Sequence, residues 1–326
     1  MNLTHDTTSL GVVADIGGTN ARLGLVANST PTPQHILVLP TNAYRSLTAL
    51  IEDYLARLGI RRRPEQACIA IAGPIHGDEC RLTNLPLRFS IEQTRQELEL
   101  TRLEVINDFD AIAQYVPHLN GDDTLQVGRG RLNVEHAKVV IGPGTGLGVA
   151  ALIPLGDSWL SVPGEGGHTP APTLTDREFD VLRAVRDQAG QVDSEMLVSG
   201  PGLVRIYLSL AHLDGLQPVP RTPAEIARDG ASGTDDLCVE ALDMFCALLG
   251  AVSSGAAVTF AAWGGVYLAG GILSKLADLI THSSFRARFE NNPAVGANLA
   301  STATVLITRP EPGLHGAAHI LTSTLG

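Results

Sequence analysis

Two stretches of the chain repeat one pattern, in which two short apolar strands flank a turn rich in glycine and threonine. The first copy runs from Leu10 to Val26 with its turn at Gly17-Gly18-Thr19, and the second runs from Val139 to Ile153 with its turn at Gly144-Thr145-Gly146. Short strands joined by tight turns form antiparallel hairpins. Because a copy opens each half of the chain, the repeat indicates a duplicated, two-lobed α/β fold.

Helices and strands alternate over the rest of the chain. Apolar residues at helical spacing predict a helix over 47–58, with Ser46 as its N-cap, and Ser90 caps another with Gln93 at capping-box distance. Asn107-Asp108 follows a short strand over 103–106. We expect further strands at 35–39, 67–72, 265–269 and 304–308, and helices at 176–186, 200–212, 222–228, 235–258 and from about Gly313.

Composition restricts the class of partner. The chain has 326 residues and a formal net charge of −11, and only Lys138 and Lys275 are lysines. Its one dense basic run, Arg61-Arg62-Arg63, is short and lacks interleaved aromatic residues, so we interpret it as a solvated loop and expect no nucleic acid partner. A phosphate ligand would be held mainly by backbone N–H groups and a metal ion.

Cysteine usage and hydropathy favour a cytoplasmic protein without a membrane span. The four cysteines lack metal-binding spacing, which is typical of reduced thiols in or near a core. Residues 1–10 show no signal-peptide pattern. Residues 244–274 carry no charge, but their serines and glycines favour a buried helix, a short strand and a glycine turn over a span.

The two hairpin turns are candidate phosphate cradles. No P-loop motif occurs, and Leu147 occupies the third glycine position of a dinucleotide fingerprint. Each turn offers bare backbone N–H groups and one threonine hydroxyl, which can form an anion-holding concavity. Asp15 lies beside the first turn, where a cation would offset its charge, so it suggests Mg²⁺ held through water. The alternative is a pair of ordinary hairpins.

Two further sites carry polar or glycine residues where strands end. Gly270-Gly271 follows a buried strand and would let a ligand ring lie against the backbone, although a plain strand-to-helix turn has the same pattern. Asn107-Asp108 lies at the mouth of a strand and the head of a helix, a favoured place for catalytic residues. Helix capping is the alternative for this pair.

A polar cluster and a separate glutamate complete the candidate residues. Glu165 and His168 are flanked by glycines and could make the several hydrogen bonds that a polyol requires, or could be surface residues of a flexible loop. A metal site is poorly supported, because no second nearby His or Cys completes a ligand set. Glu195 is expected in the first turn of a helix, where it could simply compensate the helix dipole.

Taken together, these segments resemble the bacterial glucokinase family, within the superfamily of hexokinases and actin-like ATPases. The resemblance covers nearly the whole chain. The motifs that carry it are, in order, Asp15-Ile-Gly-Gly-Thr-Asn-Ala-Arg-Leu, Ile71-Ala-Gly-Pro, Leu82-Thr-Asn, Ile106-Asn-Asp-Phe, Gly144-Thr-Gly-Leu-Gly-Val, Pro163-Gly-Glu-Gly-Gly-His, Leu197-Val-Ser-Gly-Pro-Gly-Leu, Gly264-Gly-Val-Tyr-Leu-Ala-Gly-Gly-Ile and Pro312-Gly-Leu-His-Gly.

The resemblance implies an actin-like ATPase (ribonuclease H-like) α/β fold with mixed sheets flanked by helices. It implies a small domain of residues 1–118 plus 309–326, a large domain of residues 119–308, and an active-site cleft between them. The reaction implied is transfer of the ATP γ-phosphoryl group to the 6-hydroxyl of glucose, with Mg²⁺, in a cytoplasmic homodimer.

The resemblance also implies a role for each candidate residue. Asp108 would be the general base. The sugar ligands would be Asn84, Asn107, Asp108, Glu165, His168 and Glu195. The nucleotide would be held by Ala14, Asp15, Ile16, Gly17, Gly18, Thr19, Gly144, Thr145, Gly146, Gly270 and Gly271.

The chain departs from the family in one loop. Leu85-Pro86-Leu87-Arg88-Phe89 lacks the tryptophan that the family usually has after the Thr83-Asn84 pair. Because this loop lies near the sugar in the family, another hexose or an amino sugar stays open as the substrate. A non-catalytic sugar sensor is the alternative of another class, although only about ten residues precede the first strand, too few for a DNA-binding domain. The zinc-binding cysteine cluster of the related repressor, open-reading-frame and kinase group is absent.

Overall fold

The computed structural model describes residues 10–27, 30–73, 75–82 and 88–323. The chain forms two units, one of Met1–His118 with Pro310–Gly326 and one of Leu119–Arg309. The first unit contains β1 (Leu10–Ile16), β2 (Asn20–Ala27), β3 (Thr30–Pro40), α1 (Leu47–Arg57), β4 (Gln66–Ile71), β5 (Ile75–His76), β6 (Glu79–Arg81), β7 (Arg88–Ser90), α2 (Ile91–Glu97), β8 (Arg102–Asn107), α3 (Asp108–Tyr115) and the C-terminal helix (Pro312–Thr322).

The main sheet of the first unit has the strand order β3-β2-β1-β4-β8. β1 and β2 form the predicted antiparallel hairpin, and β3 extends it to a meander, whereas β4 runs parallel to β1 and β8 runs parallel to β4. In this register Ile16 pairs with Ile71, and Ile71 pairs with Asn107. The carboxyl ends of three parallel strands therefore meet at one edge, which carries the Gly17 turn and Asn107-Asp108. Ligand sites of open α/β sheets form at such edges.

Local sequence signals account for the helices of this unit. Ser46 and Ser90 accept hydrogen bonds from Ala49 N and Gln93 N, so both predicted N-caps are confirmed. The Gln93 side chain donates to Glu97 instead of returning to the backbone of Ser90, so the predicted capping box between these two residues does not form.

The C-terminal helix packs so tightly on α3 that a Cβ at Gly316 would overlap the backbone of Ala111.

The second unit contains β9 (Thr124–Val127), β10 (Lys138–Pro143), β11 (Leu147–Leu155), β12 (Ser158–Gly164), α4 (Asp176–Ala189), α5 (Gly200–Leu213), α6 (Pro223–Ser232), α7 (Asp236–Thr259), β13 (Gly265–Leu268), α8 (Ala277–Ile280), α9 (Phe285–Glu290), α10 (Gly296–Ser301) and β14 (Thr304–Ile307). Its sheet has the order β12-β11-β10-β13-β14-β9.

The two main sheets repeat one topology, which confirms the duplication predicted from the hairpins. In the second unit β10, β11 and β12 form the antiparallel meander, and β13 and β14 run parallel to β10. β9 then adds an antiparallel strand at the far edge. β9, the small sheet β5-β6-β7 and the short helices α8–α10 were not predicted, since segments this brief show no clear periodicity. β12 was not predicted either.

Residues 244–274, which carry no charge, form the buried helix and short strand that were predicted from their serines and glycines. By length and composition alone, α7 could cross a membrane, and it is the one such helix in the described part of the chain. However, 72% of its most apolar window is buried inside the protein. Its buried side chains include Phe245 and Leu249, which belong to the core of the second unit. We therefore interpret α7 as a core helix.

Three histidines and a tyrosine stack where α3 and the C-terminal helix meet. The ring centroids of His118 and His319 lie 3.7 Å apart, and those of Tyr115 and His315 lie 5.0 Å apart. Burial, and then the neighbouring His118 and His315, lower the pKa of His319 to about 4. Burial also lowers the pKa of His118. The fold therefore favours the neutral imidazoles of His118 and His319.

The stack should make the protein less stable in mild acid. Because the ordinary histidine pKa of 6.5 falls to about 4 for His319 in the fold, the unfolded chain binds more protons between these values. Stability should therefore fall as the pH drops below about 6.5. His319→Phe keeps a stacked ring that cannot titrate, so it should lose less stability between about pH 7.5 and pH 5 in chemical denaturation. The exposed His136→Phe is the control, and equal losses in both variants would contradict this assignment.

Candidate functional site

The turn after β1 is braced by the segment that follows β3. Gly17 N donates to Asn20 O over 3.0 Å, and Thr41 donates to Gly17 O through its hydroxyl and to Thr19 O through its backbone N–H. Thr19 is exposed at the tip. The side chains of Ala14 and Ile16 are buried in the sheet, so these two residues can offer a ligand only their backbone.

Asp15 lies on β1 opposite Arg22, just before this turn. Burial raises the pKa of its carboxyl, Arg22 acts against this shift, and Glu311 adds to it. The described residues contain no cluster of three or more His, Cys, Asp or Glu side chains that could hold a metal ion. A single carboxylate fits the expectation that Mg²⁺, which keeps several of its waters, would be held through water and substrate phosphates.

Asn107 and Asp108 lie at the junction of β8 and α3. Asn107 Oδ1 accepts hydrogen bonds from Phe109 N (2.9 Å) and Asp110 N (3.3 Å), so the capping alternative is correct for Asn107. This cap uses only Oδ1, and the amide Nδ2 can still donate to a ligand. Asp108 is the first residue of α3, and its Oδ1 accepts from Phe109 N. Asn84 lies outside the described residues.

Glu195 connects two parts of the second unit. The expectation that it lies in a helix first turn is wrong, because it occupies a turn that precedes α5. Its carboxylate accepts a hydrogen bond from Leu147 N (2.9 Å), at the start of β11. A Cβ at Gly146 would overlap the same carboxylate. The glycine at this position therefore lets Glu195 lie directly against the hairpin turn.

The glycines between Glu165 and His168 bring the polar cluster onto β11. A Cβ at Gly166 would crowd the Val149 side chain, and a Cβ at Gly167 would overlap Leu147 O. Gly167 O also accepts from Glu195 N over 2.8 Å. Only glycines permit this close approach, so the cluster is held against the same strand end as Glu195. Glu165 and His168 are exposed, with side-chain accessibilities of 79% and 54%.

Asp193 is a site residue that the sequence reasoning missed. Its Oδ2 lies 2.9 Å from His168 Nδ1, while His168 Nε2 lies 3.9 Å from Glu165 Oε2. The hydrogen bond to Asp193, with the nearby charges of Glu195 and Glu165, raises the pKa of His168. The only signal for Asp193 was an acidic residue two positions before Glu195, and such proximity in sequence says nothing about contact with His168.

The second hairpin turn lies against the N-terminus of α5. Gly200 N, at the first residue of α5, donates to Gly144 O over 2.8 Å, and Ser199 caps the helix by accepting from Gly202 N. A Cβ at Gly144 would meet no atom within 4 Å, so the space beside the turn is open. Backbone N–H groups of the turn and the positive end of the α5 dipole together favour an anion here.

Gly270 and Gly271 adjoin this same turn. Gly270 has a φ of 107°, and a Cβ there would overlap Pro143 O at the end of β10. Gly271 faces open space. Ser274 N donates to Gly270 O, and Ser274 also lines a cavity of about 680 Å³ that extends between α6, α7 and residues 274–283. A volume of this size is typical of small-molecule sites.

Each unit therefore groups its own share of the predicted residues. At the edge of the first unit lie Asp15, Gly17, Gly18, Thr19, Asn107 and Asp108. At the edge of the second lie Gly144, Thr145, Gly146, Glu165, His168, Glu195 and Gly270. The first set offers carboxylates and a backbone turn, and the second offers a backbone turn, a helix N-terminus and a polar set suited to a polyol.

Comparison with known proteins agrees with this arrangement. The sequence model of the family Glucokinase matches residues 12–324. The chain is 39% identical to the glucokinase of Saccharophagus degradans over 310 residues, which are 94% of this chain and 96% of that protein.

Two solved structures extend the comparison. The crystal structure of a glucokinase from an Antarctic psychrotroph superimposes with a TM-score of 0.84 at 30% identity, covering 97% of this chain and 99% of that one. The fold is shared with a ROK family glucokinase from Streptomyces griseus, solved in complex with glucose and AMPPNP, at a TM-score of 0.64, 20% identity and coverages of 96% and 99%. The predicted actin-like α/β fold is thus confirmed, and the chain belongs to the glucokinase family.

Proposed function

We propose that the protein is a glucokinase, which transfers the γ-phosphoryl group of ATP to the 6-hydroxyl of D-glucose and yields glucose 6-phosphate and ADP at the entry to glycolysis. The observation that carries this proposal is the contact between Glu195 and the hairpin turn at Gly146, since it joins a polyol-binding set to an anion-binding turn. The complex of the Streptomyces griseus relative with glucose and AMPPNP supports both substrates.

Asp108 acts as the general base in this proposal. Phosphoryl transfer requires positioning and charge neutralisation more than covalent chemistry by the protein. A carboxylate within hydrogen-bond reach of the 6-hydroxyl can orient it and accept its proton as the new P–O bond forms. The hydrogen bond from Phe109 N (3.0 Å) holds the Asp108 carboxylate at the head of α3, at the same sheet edge as the first hairpin turn.

The sugar is held by the remaining polar residues. Asn107 donates through Nδ2, while Glu165, His168 and Glu195 exchange hydrogen bonds with ring hydroxyls. Asn84 is a further sugar ligand in this proposal. Asn107 and Asp108 belong to the first unit, and Glu165, His168 and Glu195 belong to the second.

The nucleotide phosphates are held by backbone groups of the two turns. Gly17-Gly18-Thr19 and Gly144-Thr145-Gly146 present N–H groups and threonine hydroxyls, and the α5 N-terminus adds its dipole. Gly271 leaves room for adenosine, which extends toward the cavity lined by Ser274. Asp15 would hold Mg²⁺ through water, and the ion would neutralise phosphate charge when bound. We also propose that the enzyme is cytoplasmic and homodimeric.

A kinase for another sugar is the second candidate, because the loop after Asn84 departs from the family pattern. A coupled ADP-release assay with ATP and Mg²⁺ over glucose, mannose, fructose and glucosamine separates the two. We expect glucose to have a kcat/KM at least about tenfold above the others, since inverting or replacing a bound hydroxyl leaves its hydrogen-bond partners in the site unpaired. A higher kcat/KM for another sugar would reassign the substrate, and turnover of no sugar with binding retained would favour a sensor.

Replacing the base should separate chemistry from binding. Asp108→Asn keeps the shape and one acceptor oxygen but cannot take a proton, so kcat should fall by about a thousandfold. The glucose Kd, measured by calorimetry, should change only a few-fold. Asp110→Asn removes a neighbouring carboxylate from the same helix turn and should retain activity. Full turnover in Asp108→Asn would exclude Asp108 as the base.

A further inference from the structure

The contact between His168 and Asp193 lies beside the proposed sugar ligands, and the proposed mechanism does not use Asp193. The two side chains meet at 2.9 Å between Nδ1 and Oδ2. Asp193 is the more sheltered partner, with 22% of its side chain exposed. Its other oxygen, Oδ1, accepts from Met196 N over 3.0 Å, so the carboxylate is anchored to its own turn.

The two loops that carry this pair are also joined through their backbones. Ser194 N donates to Thr169 O, and Glu195 N donates to Gly167 O, each over 2.8 Å. The Ser194 hydroxyl adds a hydrogen bond to Thr169 O. These bonds flank His168 on one loop and directly follow Asp193 on the other. The relative position of the two side chains is therefore set by the fold.

The chemistry of the pair determines which nitrogen of His168 carries a proton. An ionised carboxylate can only accept hydrogen bonds, so Nδ1 must be the donor in its contact with Asp193. In the neutral imidazole Nε2 is then the unprotonated nitrogen, because one ring nitrogen's hydrogen bond sets the state of the other. Nε2 points toward Glu165, at 3.9 Å from its Oε2.

The electrostatic surroundings of the imidazole are acidic. Asp193, Glu195 and Glu165 are the charged groups that act on it. β11, the strand against which its loop packs, carries no titratable side chain. The proton state of His168 therefore depends on these three carboxylates, and among the described residues Asp193 is the one in direct hydrogen-bond contact with the ring.

We propose that Asp193 is a positioning residue for sugar binding, which holds His168 by Nδ1 and thereby presents Nε2 to a sugar hydroxyl as a hydrogen-bond acceptor. This inference rests on the proposed function, since it requires His168 to contact the sugar. A hydroxyl that donates to Nε2 can still accept from another group, so the arrangement selects an orientation of the sugar.

Asp193→Asn tests the role with little structural change. The amide oxygen can take the place of Oδ1 and keep the bond from Met196 N, which leaves the NH₂ group facing His168 Nδ1. An NH₂ donor at this point requires an unprotonated Nδ1, so the proton moves to Nε2. The variant thus preserves the turn and reverses the role of Nε2 toward the sugar. Asp187→Asn, on the exposed surface of α4, is the matched control.

We expect Asp193→Asn to raise the glucose KM about tenfold near pH 8 while kcat stays within about twofold, because a binding contact is lost and the proposed base, Asp108, is untouched.

Long-range ¹H–¹⁵N NMR of histidine-labelled protein should show His168 protonated at Nδ1 in the parent and at Nε2 in the variant. The titration of His168 should also move to lower pH in the variant, since the carboxylate that raises its pKa is gone. Because the chain has ten histidines, the spectrum of the His168→Gln variant is needed to identify the His168 signal.

A double-mutant cycle with His168→Gln completes the test. If Asp193 acts through His168, the double variant His168→Gln/Asp193→Asn should have the same glucose KM as His168→Gln alone. Suppose that His168→Gln raises the glucose KM, but Asp193→Asn keeps the parental KM and the parental tautomer of His168. This result would overturn the inference and leave the proposed function standing. If His168→Gln itself keeps the parental KM, His168 is not a sugar ligand, and both the inference and that part of the proposed function fail.

Discussion

The carboxylate of Glu195, lying against the turn at Gly146, is the constraint on which the second unit's site depends. It accepts from Leu147 N where β11 begins, and the backbone of the same residue bonds to Gly167 in the polar loop. One residue therefore connects the hairpin turn at Gly144-Thr145-Gly146 with the loop that carries Glu165 and His168. The glycines at 146, 166 and 167 are the residues whose missing side chains allow these contacts.

The first unit reaches a comparable arrangement through strand register. Because β1, β4 and β8 are parallel and Ile16, Ile71 and Asn107 lie in one row, the Gly17 turn and Asp108 are placed at the same edge of the sheet. The duplicated topology gives each unit a hairpin turn at its first parallel strand. Turns of this kind offer backbone N–H groups to an anion, which agrees with a chain that has only two lysines.

The sequence predicted those parts of the structure that depend on neighbouring residues. The two hairpins, the Ser46 and Ser90 caps and the position of Asn107-Asp108 follow from local periodicity and capping chemistry. The contacts of Glu195 could not be predicted this way, because its partner at Leu147 is 48 residues distant. The same is true of Asp193 and His168, which are 25 residues apart and meet only because the two loops pair. Long-range contacts of this kind leave no periodic signal.

The substitution Gly146→Ala tests most directly whether Glu195 unites the two halves of this site. The added Cβ would displace the Glu195 carboxylate, and with it both the hairpin turn and the polar loop. The account predicts that the KM values for glucose and for ATP rise together, each by about tenfold or more, whereas Gly255→Ala, where a Cβ meets nothing within 4 Å, leaves both unchanged. A rise in only one of the two KM values, or in neither, would contradict it.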